Sequence, residues 1–220
     1  MTDASTPLSE RLRRDRMLAI VRGVFTGVEI DAVADALLRH GFGTVEVTWN
    51  SPDAAEHVAR LAARADPELL VGAGTIVHAE QVRRAVAAGA RFLVSPGWDP
   101  DVWAAAQRAG VPLLPGVFTA SEVQAARAHG ARLLKLFPAH LHGPSWMRAL
   151  SGPFDDVRFV PTGGVTTENL GAYLRAGAFA VAIGSALFRP GRDPNVLHDD
   201  VADLRRAIDD ATAPASGMPS

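Results

Sequence analysis

Residues 30–48, IDAVADALLRHGFGTVEVT, contain the unit that decides the fold. Apolar residues recur at three- and four-residue spacing over 30–39, which predicts an amphipathic helix. Gly41 follows, at the point where a helix commonly ends in a left-handed residue. The run 44–48 is rich in β-branched residues and predicts a strand. The stretch therefore predicts one helix, a glycine stop and one strand.

The same unit recurs along the chain about every 23 residues. Short apolar runs predict eight strands, at 18–21, 44–48, 69–72, 91–94, 112–114, 132–136, 157–160 and 179–183. Helical patterns lie between them, at 30–39, 52–64, 79–88, 101–109, 120–128, 143–150, 168–176 and 196–211. The strands are apolar on both faces, as in a parallel sheet covered by helices. We therefore expect a single-domain α/β fold, a (β/α)8 TIM barrel, with a doubly wound open sheet as the alternative.

The two ends lie outside the repeating pattern. Residues 1–16 are polar and charged, which predicts a peripheral N-terminal extension with a short helix from Leu8. The repeating units occupy 17–211. Residues 212–220 are rich in small residues and proline, and predict a disordered tail.

Composition excludes several classes of protein. The chain has 220 residues, 48% of them hydrophobic, and a formal net charge of −2, so no basic field for nucleic acid is expected. The absence of cysteine excludes disulfides, thiol catalysis and cysteinyl metal sites. No run approaches the roughly 20 apolar residues of a membrane span, and no signal peptide is recognisable. We expect a cytoplasmic protein without nucleic-acid or membrane partners.

Glycine and polar residues concentrate where the predicted strands end. Barrel enzymes build their active sites at these carboxyl ends. The candidate site residues taken from these positions are Arg22, Glu46, Thr75, Lys135, Thr162, Gly163, Gly164, Gly184 and Ser185.

Lys135 is the single lysine of the chain, among 22 lysine and arginine residues. It lies within the aliphatic run 133–137, where burial lowers the pKa of an amine and favours its neutral form. A neutral amine attacks a ketone to form a Schiff base, which arginine cannot do. The alternatives are a lysine whose ammonium reaches solvent at the barrel mouth and a structural ion pair.

Glu46 lies on the opposite face of its strand from Val45 and Val47, on the face shared by Thr44 and Thr48. An inward carboxylate in a parallel strand needs a partner. With Lys135 or bound water as that partner, Glu46 becomes a candidate general acid/base, and a buried ion pair is the alternative.

The remaining candidates indicate anion binding. Gly163-Gly164 and Gly184-Ser185 end the seventh and eighth predicted strands, where barrels commonly bind phosphate. Arg22 can bind a carboxylate through two parallel hydrogen bonds, or it can cap the rim. His140 and His142 lack a clustered third ligand, so no metal site is expected.

Six motifs in order carry a family resemblance: VEVT at 45–48, VGAGT at 71–75, FLVSPG at 92–97, LKLFPA at 134–139, FVPTGGV at 159–165 and IGS at 183–185. From about residue 18 to 188 the sequence resembles the 2-keto-3-deoxy-6-phosphogluconate (KDPG) and 4-hydroxy-2-oxoglutarate (KHG) aldolases. The resemblance implies a class I aldolase without metal or other cofactor, a phosphorylated keto sugar acid as substrate, and a homotrimer.

The resemblance also implies residue roles. Lys135 would form the Schiff base and Glu46 would transfer protons. Thr75 and Thr162 would line the pyruvate end. The phosphate end would consist of Gly163, Gly164, Gly184 and Ser185.

The motifs depart from the KDPG pattern in one region. KDPG members often carry an arginine shortly after the glutamate, where this chain has Trp49-Asn50-Ser51-Pro52. That run, with Arg22-Gly23, is more similar to relatives acting on the C4 epimer, 2-keto-3-deoxy-6-phosphogalactonate. Pro161-Thr162-Gly163-Gly164 is more similar to the KDPG type. Arg22 is then the candidate for the pyruvate carboxylate.

Two further functions stay open from the residues. One is another phosphate-binding barrel enzyme, such as an isomerase or epimerase, which needs no neutral lysine. The other is a non-catalytic phosphosugar-binding barrel.

Overall fold

The computed structural model describes residues 6–213 and consists of alternating strands and helices. The strands are β1 Met17–Val21, β2 Thr44–Thr48, β3 Leu70–Gly74, β4 Phe92–Val94, β5 Leu113–Leu114, β6 Gly116–Val117, β7 Leu133–Leu136, β8 Arg158–Pro161 and β9 Val181–Ile183. The helices are α1 Pro7–Asp15, α2 Gly27–Arg39, α3 Ala54–Ala63, α4 Ala79–Ala87, α5 Pro100–Ala109, α6 Ala120–Ala128, α7 Gly143–Ser151, α8 Leu170–Arg175 and α9 Pro194–Thr212, with a short 3-10 helix at Ala139–Leu141.

The strands form a curled parallel arrangement of two sheets. One sheet has the order β5-β4-β3-β2-β1-β9 and the other the order β6-β7-β8. Pro115, which has no N–H to donate, separates β5 from β6. At the other junction, β8 and β9 meet through a single bridge between Thr162 and Ala182. The predicted parallel α/β fold is confirmed, but backbone pairing does not run continuously around the ring.

Side chains alternate between two apolar cores. Val45 and Val47 belong to the outer core, which lies between the strands and the helices. The inner core is enclosed by the curled strands and includes Leu18, Phe92 and Val160. This alternation is the physical reason that nearly every strand residue is buried, because both faces of each strand pack against apolar groups.

Helix α1 corrects the expectation that the N-terminal segment is peripheral. Leu8 and Leu12 are 1% and 0% exposed and pack into the inner core. The Asp15 carboxylate accepts a hydrogen bond from Gly43 N at 2.8 Å, and the Arg11 guanidinium donates to Glu68 O at 2.6 Å. Most residues of α1 are polar, so its sequence pattern did not indicate that two leucines close the amino-terminal end of the strands.

At the carboxyl end of the chain, α9 continues to Thr212. From residue 214 the predicted tail 212–220 lies outside the described residues. Within 6–213, every helix is too short or too polar to cross a bilayer.

Candidate active site

A cavity of about 330 Å³ opens at the carboxyl ends of the strands. Its lining includes seven of the nine candidate residues: Arg22, Lys135, Thr162, Gly163, Gly164, Gly184 and Ser185. Arg22 follows β1 directly, Lys135 lies in β7, and the glycines follow β8 and β9. The register of the parallel strands therefore gathers residues that are up to 163 positions apart in the sequence.

Lys135 lines this cavity and is 3% exposed. Its Nζ is 5.2 Å from the centre of the Phe137 ring. Burial lowers the pKa of Lys135 because water no longer solvates the ammonium; Glu46 opposes this shift and the Arg22 charge adds to it. Burial therefore shifts the side chain toward the neutral amine that attack on a carbonyl requires.

Glu46 lies in β2, fully buried, with its strand paired to β1 at Ile20 and to β3 at Gly72. Its carboxyl group occupies the space beside Gly74, where a β-carbon would clash with it. Among the described residues, neither carboxyl oxygen has a hydrogen-bond partner. Burial raises the pKa of Glu46, although the nearby charges of Lys135 and Arg22 oppose the shift.

Burial shifts the pKa values of both Lys135 and Glu46 toward the neutral forms, and the attraction between their charges opposes both shifts. A neutral amine can form a covalent bond to a carbonyl carbon. A protonated carboxyl with unoccupied hydrogen-bonding capacity can donate to the oxygen that leaves. The arrangement fits Schiff-base chemistry better than it fits a structural ion pair.

Arg22 and Thr75 are in direct contact at the rim. The Arg22 guanidinium donates to Thr75 Oγ1 at 3.1 Å and to Asn50 Oδ1 at 3.5 Å. Thr75 itself does not line the cavity and has an unusual φ of +58°. The structure therefore connects Thr75 to the cavity through Arg22.

The loops after β8 and β9 also line the cavity. Thr162 is 3% exposed and donates its hydroxyl to Val160 O at 3.1 Å. Gly163 and Gly164 have φ values of +90° and +73°, and a β-carbon on Gly164 would lie 2.5 Å from His140. Only glycine fits this turn, which brings the backbone to the cavity wall.

The cavity is also lined by five residues that the sequence did not single out: Ile20, Phe137, Val165, Ala182 and Ala186. Phe137 could have been found, because it lies two positions after Lys135 and thus on the same face of the chain. Asn50 belongs to the motif that departs from the KDPG pattern, and the sequence assigns it no role.

The two histidines noted in the sequence have other contacts. His140 packs against Gly164, and His142 stacks on Phe118 with ring centres 5.2 Å apart. Across residues 6–213 no group of three or more potential ligands could hold a metal ion.

The chain matches the family model for KDPG and KHG aldolase over residues 8–203. It is 42% identical over 168 residues to the 2-dehydro-3-deoxy-phosphogluconate aldolase of Treponema pallidum, covering 75% of this chain and 78% of that protein. It is 37% identical to a probable 2-dehydro-3-deoxy-6-phosphogalactonate aldolase of Rhizobium meliloti, covering 80% and 82% of the two chains.

Among solved structures, a KDPG aldolase of Legionella pneumophila matches with a TM-score of 0.79 and 28% identity, over 94% of this chain and 99% of that one. That structure holds pyruvate captured at low pH as a covalent carbinolamine intermediate. The backbone arrangement described above is therefore also found in a protein that bonds pyruvate covalently.

Proposed function

The chain belongs to the KDPG and KHG aldolase family and is an aldolase, a carbon–carbon lyase; we propose that it cleaves 2-keto-3-deoxy-6-phosphogluconate through a Schiff base on Lys135. The products are pyruvate and glyceraldehyde 3-phosphate. The observation that carries the proposal is the buried Lys135 in the cavity lining. The charge of Glu46 acts on it, and among the described residues the Glu46 carboxyl oxygens have no hydrogen-bond partner.

The chemistry uses each of the two groups in turn. The Lys135 amine adds to C2 of the substrate, and the protonated Glu46 donates to the departing hydroxyl to leave an iminium ion and water. Glu46, now a carboxylate, takes the proton of the C4 hydroxyl while the C3–C4 bond breaks. The iminium accepts the electron pair and becomes an enamine, which Glu46 protonates at C3. Water then adds to the pyruvyl iminium, pyruvate leaves, and the released proton returns to Glu46, which regenerates the neutral amine and the protonated carboxyl group.

The other candidate residues are proposed to bind the substrate. Arg22 receives the carboxylate next to C2, and Thr75 and Thr162 belong to this pyruvate end. The phosphate is held at the opposite end by Gly163, Gly164, Gly184 and Ser185. The family resemblance supports this division, and all of these residues except Thr75 line the same cavity.

Reductive trapping tests the covalent step. Incubation with pyruvate and borohydride is expected to add one reduced pyruvyl group, which peptide mass spectrometry finds on Lys135. The chain has a single lysine, so the assignment is simple. A folded protein that gains no adduct in excess pyruvate would contradict the aldolase mechanism and favour a phosphate-binding barrel without turnover.

Substitution of Gly164 by alanine tests the phosphate end. The φ of +73° and the contact with His140 both oppose a β-carbon, so the loop must move. We expect KM for the phosphorylated substrate to rise by about tenfold or more, the loss of roughly one charge-assisted hydrogen bond. Trapping of unphosphorylated pyruvate on Lys135 should stay unchanged.

Gly110→Ala is the matched control for this variant. Gly110 ends α5 with a φ of +67°, and nothing lies within 4 Å of an added β-carbon. It therefore carries the same backbone strain, about 1 kcal/mol, without touching the cavity. An equal rise in KM for both variants would show that the loop after β8 has no special role.

The galactonate epimer is the second candidate substrate. The 37% identity to the relative from Rhizobium meliloti supports it, and so does the likeness of the run Trp49-Asn50-Ser51-Pro52 to the galactonate type. Comparison of cleavage rates for the two C4 epimers decides between them.

Several broader features stay proposals. We propose that the two sheets act as one (β/α)8 barrel spanning 17–211, since β5 and β6 are separated only by Pro115 and a bridge joins β8 to β9. We also propose a cytoplasmic homotrimer that needs no metal, on the basis of the family resemblance.

A further inference from the structure

The turn after β1 is tied to the loop after β2 by hydrogen bonds that involve two residues without an assigned role, Asn50 and Ser51. The Gly23 N–H donates to Ser51 Oγ at 3.0 Å. Ser51 Oγ in turn lies 2.7 Å from Thr48 Oγ1. Thr48 is fully buried at the end of β2, two residues after Glu46. The backbone next to Arg22 is thereby anchored to the strand that carries Glu46.

The Arg22 side chain is held from the other direction by Asn50 and Thr75. Thr75 is a β-branched residue with a φ of +58°, which is a rare and strained conformation. Its neighbours are bound into the sheet: Gly74 O accepts from Trp49 N at 2.7 Å, and Ile76 N donates to Val94 O at 3.0 Å. With this backbone the threonine hydroxyl accepts a hydrogen bond from the guanidinium. The residue with the strained backbone, Thr75, is therefore also a residue that binds the Arg22 side chain.

The contacts leave Arg22 able to bind a ligand. A guanidinium has five N–H donors, and Asn50 and Thr75 occupy two of them. Among the residues that line the cavity, Arg22 and Lys135 are the ionisable ones, and burial favours the neutral amine of Lys135. Arg22 is thus the cation that a carboxylate entering the cavity meets. An exposed arginine loses much side-chain entropy when it binds, and prior positioning reduces that loss.

We propose that Asn50, Ser51 and Thr75 are positioning residues that hold Arg22 at the cavity lined by Lys135, so that the site selects 2-oxo acids with a free carboxylate. This inference rests on the proposed Schiff-base function. It assigns Thr75 an action through Arg22 in place of a direct contact with substrate. It also gives a function to the Asn-Ser pair of the loop after β2.

A double-mutant cycle tests whether the three residues act through Arg22. Arg22→Leu is expected to raise KM for the keto acid by roughly 10- to 100-fold and to remove the preference for trapping pyruvate over pyruvamide. Ser51→Ala, Asn50→Leu and Thr75→Val are each expected to raise KM by about 3- to 10-fold with little change in kcat, and to reduce the same preference. Combined with Arg22→Leu, each should add less than about twofold, because the group it positions is gone.

Two further variants serve as controls. Ser51→Thr keeps the hydroxyl and should restore the preference for pyruvate. Asn195→Ala removes an exposed amide at the start of α9, away from the cavity, and should leave KM and the preference unchanged. Thermal unfolding checks that every variant is folded.

The outcomes separate the two proposals. Equal effects of Ser51→Ala with and without Arg22→Leu would overturn the positioning role, even if pyruvate is trapped normally. An unchanged ratio of pyruvate to pyruvamide trapping in all three single variants would overturn it as well. A wild-type protein that traps neither compound would overturn the Schiff-base function and the positioning role together.

Discussion

Replacement of Lys135 by arginine is expected to abolish both pyruvate trapping and aldol cleavage. A guanidinium stays protonated and cannot form the imine, whereas burial lowers the pKa of the Lys135 amine and makes it nucleophilic. The loss should exceed about 10⁴-fold, since the covalent intermediate is removed altogether. Cleavage is measured through pyruvate release and trapping through intact mass. Substantial residual cleavage would contradict the mechanism.

Lys135→Met separates this chemical effect from a folding defect. Methionine has a similar length and no charge, so it suits a site that is 3% exposed. Because the pKa of Lys135 is lowered on folding, the unfolded chain binds more protons at neutral pH and the lysine destabilises the fold there. Lys135→Met should therefore be at least as stable as the wild type at pH 7 in thermal unfolding, and equally inactive.

The second large effect is expected for Glu46→Gln. Glutamine keeps the shape and the neutral state of the buried carboxyl group, but it cannot transfer the proton. We expect kcat to fall by roughly 10²–10⁴-fold, the usual contribution of a general acid/base. Steady-state cleavage measures this, and slower trapping of pyruvate is expected for the same reason.

The fold provides a control for Glu46→Gln. A carboxyl group whose pKa is raised by burial destabilises the native state above its unfolded pKa, so glutamine should not lower the stability at pH 7. A variant that is as stable as the wild type but slow supports the acid/base role. A stable variant with less than a threefold loss of kcat would make Glu46 a structural residue.

Much of this site could be predicted from the sequence because strand geometry is regular. Alternation along 44–48 placed Glu46 opposite Val45 and Val47, and the outer core contains those two valines. The rule that parallel strands bring their carboxyl ends together predicted that Lys135 and Gly184 share a cavity, and they do.

The remaining features depend on contacts that no local pattern encodes. Thr75 has a left-handed backbone that a β-branched residue rarely adopts, and nothing in VGAGT indicates that its hydroxyl turns to Arg22. The burial of α1 could not be predicted from a segment that is rich in arginine and other polar residues. The sequence predicts one strand at 112–114, whereas strand pairing resumes after Pro115, at Gly116.

The closure of the strands by α1 affects how the proton on Glu46 exchanges with bulk water. Leu8 and Leu12 pack into the amino-terminal end of the inner core, and the cavity beside Arg22 opens at the opposite rim. In the proposed mechanism, Glu46 exchanges its proton with the substrate that is bound in this cavity. In the proposed reaction, the bound sugar acid therefore isolates its own transferred hydrogen from exchange with bulk water until the aldehyde departs.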